Sequence, residues 1–374
     1  MNKPIRILHV CQRMESAGVQ SFIMNVYRNI DRSKVEFDFL VHYKEDQFYD
    51  KEIENYGGKI YKLSVREDYN FFKYLKELDL FFKTHKYDVI HGHMDTLGYF
   101  YLKYAKKYNI PIRIAHAHTD SVQNGFKKIP RKLMIKLYGK HANYHFACSQ
   151  DSGNYMFKDG FRVFRNGIDV KRFKYNEGIR NKVRKELKVE DKFVVGNVGR
   201  LHVVKNQEFI LKLIKELKTS IPNIYFLLIG DGELENYIIS KIKEYDITEN
   251  VLMLKNRSDV NELYQAMDIF LLPSLFEGIP LVGIEAQAAG LPCVFSDKVN
   301  NKLSVTDNCT FISLDEFDVW KKRIIEIKDT FKRKNTEDSI IRSGYDSYNV
   351  AKSLENFYLT ACKDIKEGEG VINE

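Results

Sequence analysis

Residues 273–294, PSLFEGIPLVGIEAQAAGLPCV, say more about the fold of this chain than any other stretch. They follow the apolar run IFLL, Ile269–Leu272, which predicts a buried strand. Pro280 stands where a helix can begin without losing a hydrogen bond, and Gly290 lies ahead of a proline where a helix typically ends. The stretch therefore predicts a strand, a turn and a helix in succession, which is the repeating unit of an α/β protein with a parallel sheet.

Two glutamates flank this strand-to-helix junction. Glu277 lies in the loop before the helix and Glu285 about one turn into it, so both are expected at the same end of the sheet. Carboxylates beside the free N–H groups of a helix start suit a ligand that carries several hydroxyls and a phosphate. The simpler alternative is a buried helix with one capping glutamate and one surface glutamate.

Short apolar runs alternate with helical patterns along the whole chain, which predicts parallel sheets covered on both faces by helices. The strands expected in the first half are Ile5–Val10, 37–41, 89–91, 112–115, Tyr144–Ala147 and 162–164. Those expected in the second half are Phe193–Val198, 225–229, Val251–Leu254, Ile269–Leu272 and 292–295. The polar segment 166–191 between the two series is predicted to be a linker, and residues 318–363 are predicted to be helical.

The composition is that of a globular protein with two domains. A chain of 374 residues exceeds what one hydrophobic core usually supports. The five cysteines form no Cys-x-x-Cys pair and are expected to be reduced and mostly buried. No apolar run approaches the roughly 20 residues of a membrane span, and the short polar N-terminus is unlike a signal peptide. We therefore expect a cytoplasmic protein.

Positive charge is concentrated in the first part of the chain. Residues 1–170 contain 28 Lys and Arg against 19 Asp and Glu, and residues 101–150 contain ten basic residues against one acid. Such a surface attracts anionic lipid or a phosphorylated acceptor. Nucleic acid is not an expected partner, because no DNA- or RNA-binding motif is present. The amphipathic segment 127–140 fits either peripheral contact with an anionic membrane or a helix docked on the sheet with a solvated basic face.

A second group of charged residues follows another predicted strand. Arg200 comes directly after Phe193–Val198, and Lys205 lies at the start of the next helix, where its charge opposes the helix dipole unless an anion is near. Two cations beside a helix start are suited to bind a diphosphate, although solvated surface cations are the alternative. No Asp-x-Asp occurs in the chain, so the usual carboxylate cradle of metal-dependent sugar transfer is missing.

Taken with VGRL at 198–201, IGDGE at 229–233 and NGID at 166–169, this pattern resembles retaining glycosyltransferases of family 4, which have the GT-B fold. The likeness is closest to the branch that builds bacterial exopolysaccharide and capsule. It implies an N-terminal acceptor-binding Rossmann-like domain (1–168), a C-terminal nucleotide-sugar-binding Rossmann-like domain (169–350) and a last helix (351–374) that packs back on the first domain. Between the two domains a cleft is expected.

The resemblance also implies roles for single residues. Glu277 should stabilise the donor sugar, Glu285 should bind the ribose hydroxyls, and Arg200 with Lys205 should stabilise the leaving diphosphate in place of a metal ion. Further donor contacts are expected at Gly278, Ile279, Leu281, Val282, Leu254 and Arg257. Gly230 and Gly232 fit either a close approach of the nucleotide or an ordinary strand-to-helix turn.

In the first domain the resemblance points to a histidine at a strand end. His118 is our choice for the reacting centre, with His116 as the second candidate, and His91 and His93 are expected to be structural or to face the acceptor. Gly18 is expected near the donor diphosphate or the acceptor. A zinc site is not predicted, because no cysteine or acid completes a set of ligands.

The resemblance thus implies a metal-independent enzyme that transfers a sugar from a nucleoside diphosphate sugar, with uridine as the expected base, to a hydroxyl of a glycan that is expected to be lipid-linked. No cofactor is expected. Two alternatives stay open: a sugar-nucleotide 2-epimerase, and a non-catalytic subunit that binds a nucleotide sugar. We expect a cytoplasmic protein, and peripheral contact with the inner face of the cell membrane stays open as an alternative.

Overall fold

The computed structural model describes residues 3–15, 17–63, 70–119, 134–255 and 257–368. They form two compact units, the first from residues 1–167 together with 347–374 and the second from residues 168–346. Each unit contains one sheet in which all the strand pairs are parallel. The predicted fold class of two Rossmann-like α/β domains is therefore confirmed.

The sheet of the first unit has seven strands in the spatial order β3-β2-β1-β4-β5-β6-β7. They are β1 (Ile5–Val10), β2 (Val35–Val41), β3 (Ile60–Lys62), β4 (Val89–Gly92), β5 (Ile112–Ala117), β6 (Tyr144–Ala147) and β7 (Arg162–Val163). The helices that follow these strands are α1 (Gly18–Asn29), α2 (Asp50–Asn55), α3 (Phe71–Thr84), α4 (Gly98–Lys107) and α5 (Gln150–Met156). Residues 134–138 are also helical.

The sheet of the second unit has six strands in the spatial order β10-β9-β8-β11-β12-β13. They are β8 (Phe193–Val198), β9 (Ile224–Ile229), β10 (Val251–Leu254), β11 (Ile269–Leu272), β12 (Cys293–Ser296) and β13 (Cys309–Ile312). Its helices are α6 (Val170–Phe173), α7 (Glu177–Glu186), α8 (Gln207–Leu217), α9 (Glu235–Glu244), α10 (Val260–Ala266), α11 (Leu281–Ala288), α12 (Phe317–Thr330) and α13 (Glu337–Arg342).

Both sheets are covered on both faces. Side chains of β1 alternate between two hydrophobic clusters, since Ile7 belongs to one and Leu8 to the other. Neighbouring residues of β8 do the same in the second unit, where Val194 and Val195 pack in different clusters. Strands buried on both sides are near-continuous apolar runs, which is why the central strands were predicted from the sequence.

The last helix, α14 (Ser347–Glu367), belongs to the first unit and packs against α1. Its apolar face, including Leu354, Tyr358 and Ala361, is buried in the same cluster as residues of β1 and β2. The predicted return of the C-terminal helix to the N-terminal domain is confirmed, and the helix begins at Ser347. The helical region predicted at 318–363 consists of three separate helices.

The division between the two units falls at 167/168, inside the segment 166–191 that we predicted to be a linker, but the rest of that segment is structured. It carries α6 and α7, which belong to the second unit. Arg180 and Arg184 of α7 donate hydrogen bonds to the carbonyls of Met267 and Ala266, each at 2.8 Å, just after and at the end of α10. The pattern misled us because this helix has few apolar residues, and part of its attachment consists of arginine hydrogen bonds to backbone carbonyls.

Two strands were missed, and both lie at a sheet edge. β3 has three residues and β13 has four, and only Ile312 among them is fully buried. An edge strand pairs on one side only, so it needs no continuous apolar run that the sequence could reveal.

Candidate active site

The loop that follows β11 carries Glu277 at the carboxyl end of the second sheet. Its carboxylate forms an ion pair with the ammonium of Lys205, and it accepts a hydrogen bond of 3.2 Å from the hydroxyl of Ser274. The two charged side chains are only 17% and 20% exposed. The pair is therefore partly shielded from water, where a charge interaction is stronger than at the surface.

Two hydrogen bonds between loops explain why Lys205 meets Glu277. After β8 the chain makes a short turn, Val203–Lys205, and Asn206 follows in the left-handed region with a φ of 52°. Its side-chain amide donates to the carbonyl of Pro273 at 3.1 Å, and the N–H of Leu275 donates to the carbonyl of Val204 at 2.8 Å. The loops after β8 and β11, distant in sequence, are thereby fastened together.

Arg200 is arranged differently from Lys205. Its side chain is 70% exposed and pairs with the carboxylate of Glu233 at 3.2 Å. His202 contacts the other oxygen of Glu233 at 3.3 Å. A hydrogen bond from the backbone N–H of Glu233, together with the charge of Arg200, lowers the pKa of this carboxyl below its usual value. The two predicted phosphate-binding cations thus pair with two different acids, Arg200 with Glu233 and Lys205 with Glu277.

The glycines after β9 are required by the backbone. Gly230 and Gly232 have φ values of 142° and 154°. A Cβ on Gly230 would lie 2.1 Å from the carbonyl oxygen of Gly199, and one on Gly232 would lie 2.4 Å from that of Leu201. Only glycine permits this conformation and this close approach of two loops. The geometry favours the strand-to-helix turn, because the neighbour that comes close is the loop after β8.

Glu285 lies on α11 and is largely buried. The hydroxyl of Tyr264, on α10, donates to its carboxylate at 3.1 Å and contacts the carbonyl of Val282 at the same distance. Burial raises the pKa of Glu285 to about 7, although the hydrogen bond and the charge of Arg172 act in the opposite direction. Tyr264 and Arg172 were missed at the sequence level, because nothing in their local patterns separates them from core and surface residues.

The start of α11 has no side-chain cap. Pro280 occupies the position before the first helical residue, Leu281, in an extended conformation, where its missing N–H costs no hydrogen bond. Ile279, Leu281 and Val282 pack partly buried against the core of the unit. The first N–H groups of a helix lack intrahelical partners, so this end can bind an anion. Gly278 precedes it in a bend.

The predicted base-binding residues lie at the end of β10. The carbonyl of Leu254 accepts a hydrogen bond of 2.8 Å from the N–H of Gly230. Arg257 forms two hydrogen bonds of 2.7 and 2.5 Å with the carboxylate of Asp259. The guanidinium is therefore already paired, and a contact with a base would be made by its face or by the neighbouring backbone.

Five histidines meet at the carboxyl end of the first sheet. They come from β1, from β4 and the residue after it, and from β5 and the residue after it: His9, His91, His93, His116 and His118. Ring nitrogens of His9 and His93 are 3.0 Å apart, those of His93 and His118 are 2.9 Å apart, and those of His91 and His116 are 3.0 Å apart. His9 was missed, although its register opposite His91 follows from the order of the strands.

Burial keeps these rings neutral. It lowers the pKa of His9 and of His118 to about 3, and it lowers the pKa of the other three well below the usual value. Two sets of three rings have nitrogens within 4.8 Å of one another and could hold a metal ion. From the sequence we expected no third metal ligand beside a pair of histidines, whereas the sheet brings a third histidine to each pair. The short contacts nevertheless join ring nitrogens in pairs, as hydrogen bonds do, and a metal ion would have to break them.

A cavity of about 240 Å³ adjoins this cluster. It is lined by polar groups including His93, His116, His118 and Gln20. Gly18, the first residue of α1, stands in the same unit; no described atom lies within 4 Å of where its Cβ would be, and its φ is not positive. Neither packing nor backbone conformation among the described residues therefore demands a glycine there.

Only part of the basic segment 127–140 can be placed. Residues 127–133 lie outside the described residues. In the remainder, Ile135 and Tyr138 are buried, whereas Lys136 and Lys140 are exposed. The hydroxyl of Tyr138 donates to the carbonyl of Gly92 at 2.7 Å, so this part is docked on the sheet with a basic outer side. Among the helices of the described ranges, none combines the length and apolar character needed to cross a membrane.

Comparison with known proteins places the chain in a family. Residues 16–172 match the family model described as Glycosyltransferase Family 4, and residues 178–345 match the model described as Glycosyl transferases group 1. Over 368 residues the chain is 30% identical to the putative glycosyltransferase EpsF of Bacillus subtilis (strain 168), covering 94% of this chain and 96% of that protein. The chain belongs to glycosyltransferase family 4.

Other members of glycosyltransferase family 4 are more distant. The chain is 25% identical over 293 residues to the UDP-Gal:alpha-D-GlcNAc-diphosphoundecaprenol alpha-1,3-galactosyltransferase of Escherichia coli, covering 73% of this chain and 74% of that protein. It is 25% identical over 297 residues to the capsular polysaccharide biosynthesis glycosyltransferase CapH of Staphylococcus aureus, covering 75% and 78%. The predicted family and its exopolysaccharide and capsule branch are confirmed.

A solved structure shows the same fold. The crystal structure of Anabaena HepE in complex with UDP and glucose superposes with a TM-score of 0.73 at 17% identity, covering 97% of this chain and 99% of that chain. At this identity the likeness supports the GT-B fold of this family 4 glycosyltransferase and nothing finer.

Proposed function

We propose that this glycosyltransferase moves a sugar from a UDP-sugar, with retention at the anomeric carbon, to a hydroxyl of a lipid-linked exopolysaccharide or capsule intermediate. The names of its relatives support the substrate classes. The Escherichia coli relative is named for a UDP-sugar donor and a diphosphoundecaprenol acceptor, and the Staphylococcus aureus relative is named for capsule biosynthesis.

The ion pair of Lys205 and Glu277 carries this proposal. The ammonium of Lys205, just before α8, pairs with the carboxylate of Glu277, which precedes the start of α11 in the same loop, and that helix start has no side-chain cap. A diphosphate brings more negative charge than Glu277 supplies, and so it takes over the ammonium and the free N–H groups of α11. Glu277 is then released to the sugar, where it stabilises the positive charge that develops at the anomeric carbon.

Glu285 is the proposed ribose ligand. Its carboxylate already accepts a hydroxyl hydrogen from Tyr264, which shows the kind of donor that this position takes. Two ribose hydroxyls would add further donors. Hydrogen bonds to a carboxylate favour its ionised form, so binding of the nucleotide sugar would lower the pKa of Glu285 from about 7.

In the transfer step, the bond between the anomeric carbon and the β-phosphate oxygen breaks while the acceptor oxygen bonds to the same face of that carbon. The acceptor proton passes to the departing phosphate, so the products are UDP and the extended glycan. Lys205 and Arg200 offset the negative charge of the leaving diphosphate, which is the proposed reason that no divalent metal ion is required.

We further propose that the protein works in the cytoplasm, at the inner face of the membrane. The exposed Lys136 and Lys140 belong to the most basic part of the chain, and a lipid-linked acceptor is itself held at a membrane.

Incubation of the purified chain with a panel of UDP-sugars tests the activity, with and without a lipid diphosphate-sugar acceptor. We expect UDP release that depends on the acceptor, a product whose anomeric configuration matches that of the donor by NMR, and an unchanged rate in EDTA. Conversion of the donor to an isomer without acceptor would instead identify an epimerase. An inverted product rules out retention, and a rate abolished by EDTA rules out metal independence.

A further inference from the structure

Tyr358 lies at one end of a chain of hydrogen-bonded groups that reaches the cavity of the first unit. Its hydroxyl, on α14, is 2.7 Å from Nδ1 of His91, and Nε2 of His91 is 3.0 Å from Nδ1 of His116. All three side chains are buried. Nε2 of His116 has no hydrogen-bond partner among the described residues, and His116 lines the cavity of about 240 Å³.

Counting protons selects one arrangement of this chain. Burial lowers the pKa of His91 and of His116 well below the usual value, so each ring is neutral and carries one N–H. If the hydroxyl of Tyr358 donates to Nδ1 of His91, then Nε2–H of His91 donates to Nδ1 of His116. The proton of His116 then lies on Nε2.

The reverse arrangement leaves a buried group unpaired. If Nδ1–H of His91 donated to the hydroxyl oxygen of Tyr358, the hydroxyl hydrogen would have no acceptor among the described residues. A buried donor without a partner bears its full desolvation penalty. The first arrangement also leaves one buried donor unpaired, the Nε2–H of His116, but that residue lines the cavity, where a ligand can accept the hydrogen. The reverse arrangement leaves the hydroxyl hydrogen of Tyr358 and a bare Nε2 of His116 both unpaired among the described residues.

A second row of hydrogen-bonded histidines lies beside the first, and within the described residues no tyrosine hydroxyl stands at either of its ends. His93 lies between His9 and His118, and the outer nitrogens, Nε2 of His9 and Nδ1 of His118, have no hydrogen-bond partner within the described part of the chain. Either direction of the hydrogen bonds leaves one N–H and one bare nitrogen at the two ends. No hydroxyl of a described residue decides between these directions, so within this part of the chain the tautomer of His118 can follow the ligand.

We propose that Tyr358 and His91 are positioning residues that hold His116 as its Nε2–H tautomer, so that His116 presents a fixed hydrogen-bond donor to a sugar hydroxyl oxygen in this cavity. The role in sugar transfer rests on the proposed function. The tautomer does not, because it follows from groups inside one unit.

NMR of the full chain with isotope-labelled histidine tests the tautomer, with the ring signals of His116 assigned by comparison with His116→Asn. We expect the Nε2–H form in the wild-type protein. Tyr358→Phe keeps the ring and removes the hydroxyl, so the Nδ1–H form of His116 should appear. Tyr27→Phe is the matched control, since this buried hydroxyl donates to the carbonyl of Tyr56 at 3.3 Å and not to a histidine.

The kinetic arm tests the contact with substrate. In Tyr358→Phe the N–H of His116 is no longer held at one nitrogen, so kcat/KM should fall about tenfold. His91→Phe also interrupts the row of hydrogen bonds and should have the same effect. Tyr27→Phe should retain the wild-type kcat/KM. The proposed control of the His116 tautomer by Tyr358 is overturned in either of two cases: His116 stays in the Nε2–H form in Tyr358→Phe, or it is already in the Nδ1–H form in the wild-type protein. A changed tautomer with unchanged kcat/KM overturns the role of His116 as a substrate donor. If no nucleotide sugar supports transfer, the proposed function fails. The NMR result still decides whether Tyr358 and His91 set the tautomer of His116.

Discussion

Lys205 is the residue on which the proposed donor site depends most directly. It lies just before α8, where a positive charge opposes the positive end of the helix dipole, and Glu277 offsets this. A Cβ on Gly199 would lie 3.5 Å from the nearest methylene carbon of Lys205, an ordinary van der Waals contact, so it is the backbone φ of 155° rather than the space that favours glycine there. The position is thus costly for a lysine unless an anion is present, which is typical of a functional charge.

Replacing Lys205 should stop turnover without unfolding the protein. We expect Lys205→Ala to lower kcat by about 100-fold or more, the usual effect of removing one group that stabilises transition-state charge. Lys212→Ala is the control, since Lys212 also pairs with a glutamate, at 3.0 Å from Glu208 on α8. Turnover is measured as UDP release and folding by the melting temperature. Equal activity in Lys205→Ala and Lys212→Ala contradicts the role of Lys205.

Glu285 predicts a pH dependence of stability with a definite sign. Its pKa is raised to about 7 in the folded protein from an ordinary value of 4.5, so the folded state binds more protons between these values and loses stability as the pH rises through them. Glu285→Gln lacks this loss, and its stability relative to wild type should grow across the window by at most about 3 kcal/mol.

Urea unfolding followed by Trp320 fluorescence measures this effect, because Trp320 is the single tryptophan and is fully buried in the second unit. Glu233→Gln is the control with the opposite sign, since the pKa of Glu233 is lowered in the folded protein. A constant difference between Glu285→Gln and wild type over the window contradicts the raised pKa. Glu285→Gln should also bind UDP more weakly than the wild-type protein does.

At the scale of elements, the central strands of the first sheet bring charge-neutral histidines together. Parallel strands place their carboxyl ends on one edge, so residues at the ends of β1, β4 and β5 meet whatever their separation in sequence. Stacked rings and hydrogen bonds between them fill this edge; the centroids of His116 and His118, for example, are 4.2 Å apart. The arrangement holds only while the rings are uncharged.

Mild acid should therefore destabilise the first unit. The pKa values of His9 and His118 fall to about 3, against 6.5 in the unfolded chain, so the unfolded state binds more protons as the pH falls below 6.5. Each such histidine lowers the free energy of unfolding by up to about 1.4 kcal/mol per pH unit in this range. Glu285, whose raised pKa has the opposite effect on stability, belongs to the second unit.

Urea unfolding followed by circular dichroism at several pH values tests this. His9→Asn should flatten the pH dependence below pH 6.5, where the pKa of His9 of about 3 keeps its ring neutral only in the folded state. Val89→Ala, in the neighbouring β4, removes buried apolar atoms and should lower stability equally at every pH. If His9→Asn, like Val89→Ala, keeps the wild-type dependence of unfolding free energy on pH, the predicted contribution of His9 is wrong.

At the scale of the whole molecule, charge is divided unevenly along the chain. Ten basic residues face one acid in residues 101–150, whereas the chain after residue 170 is close to neutral, with 31 basic residues against 32 acids. A uniform surface would give no preferred side for a membrane. The imbalance favours approach of the first unit to anionic lipid.

Sedimentation with vesicles of phosphatidylglycerol or of phosphatidylcholine checks this expectation. We expect binding to the anionic vesicles only, weakened by salt. Lys136→Glu with Lys140→Glu should reduce it by about tenfold or more, since each charge near the surface is worth about 1 kcal/mol. Lys171→Glu with Lys185→Glu, an equal change of charge at exposed sites of the second unit, is the control. Equal loss in both pairs means that net charge alone decides, and no binding contradicts membrane contact.

The sequence alone determined the fold class, the family and most of the central strands, because strands buried on both faces and glycine-bearing turns leave local patterns. It also supplied the pair of glutamates around α11 and the two cations after β8. It failed where the cause is not local: for the edge strands β3 and β13, and for α7, whose arginines bond to the end of α10.

Only the tertiary structure decided which of these groups meet. Two hydrogen bonds between separate loops set Lys205 against Glu277, and the burial of Glu285 beside Tyr264 raises its pKa. The strand order joins His9 to histidines that lie about a quarter of the chain away, and α14 brings Tyr358 to His91. Contacts of this kind depend on how strands are ordered and how deeply side chains are buried, and neither quantity is written in any single stretch of sequence.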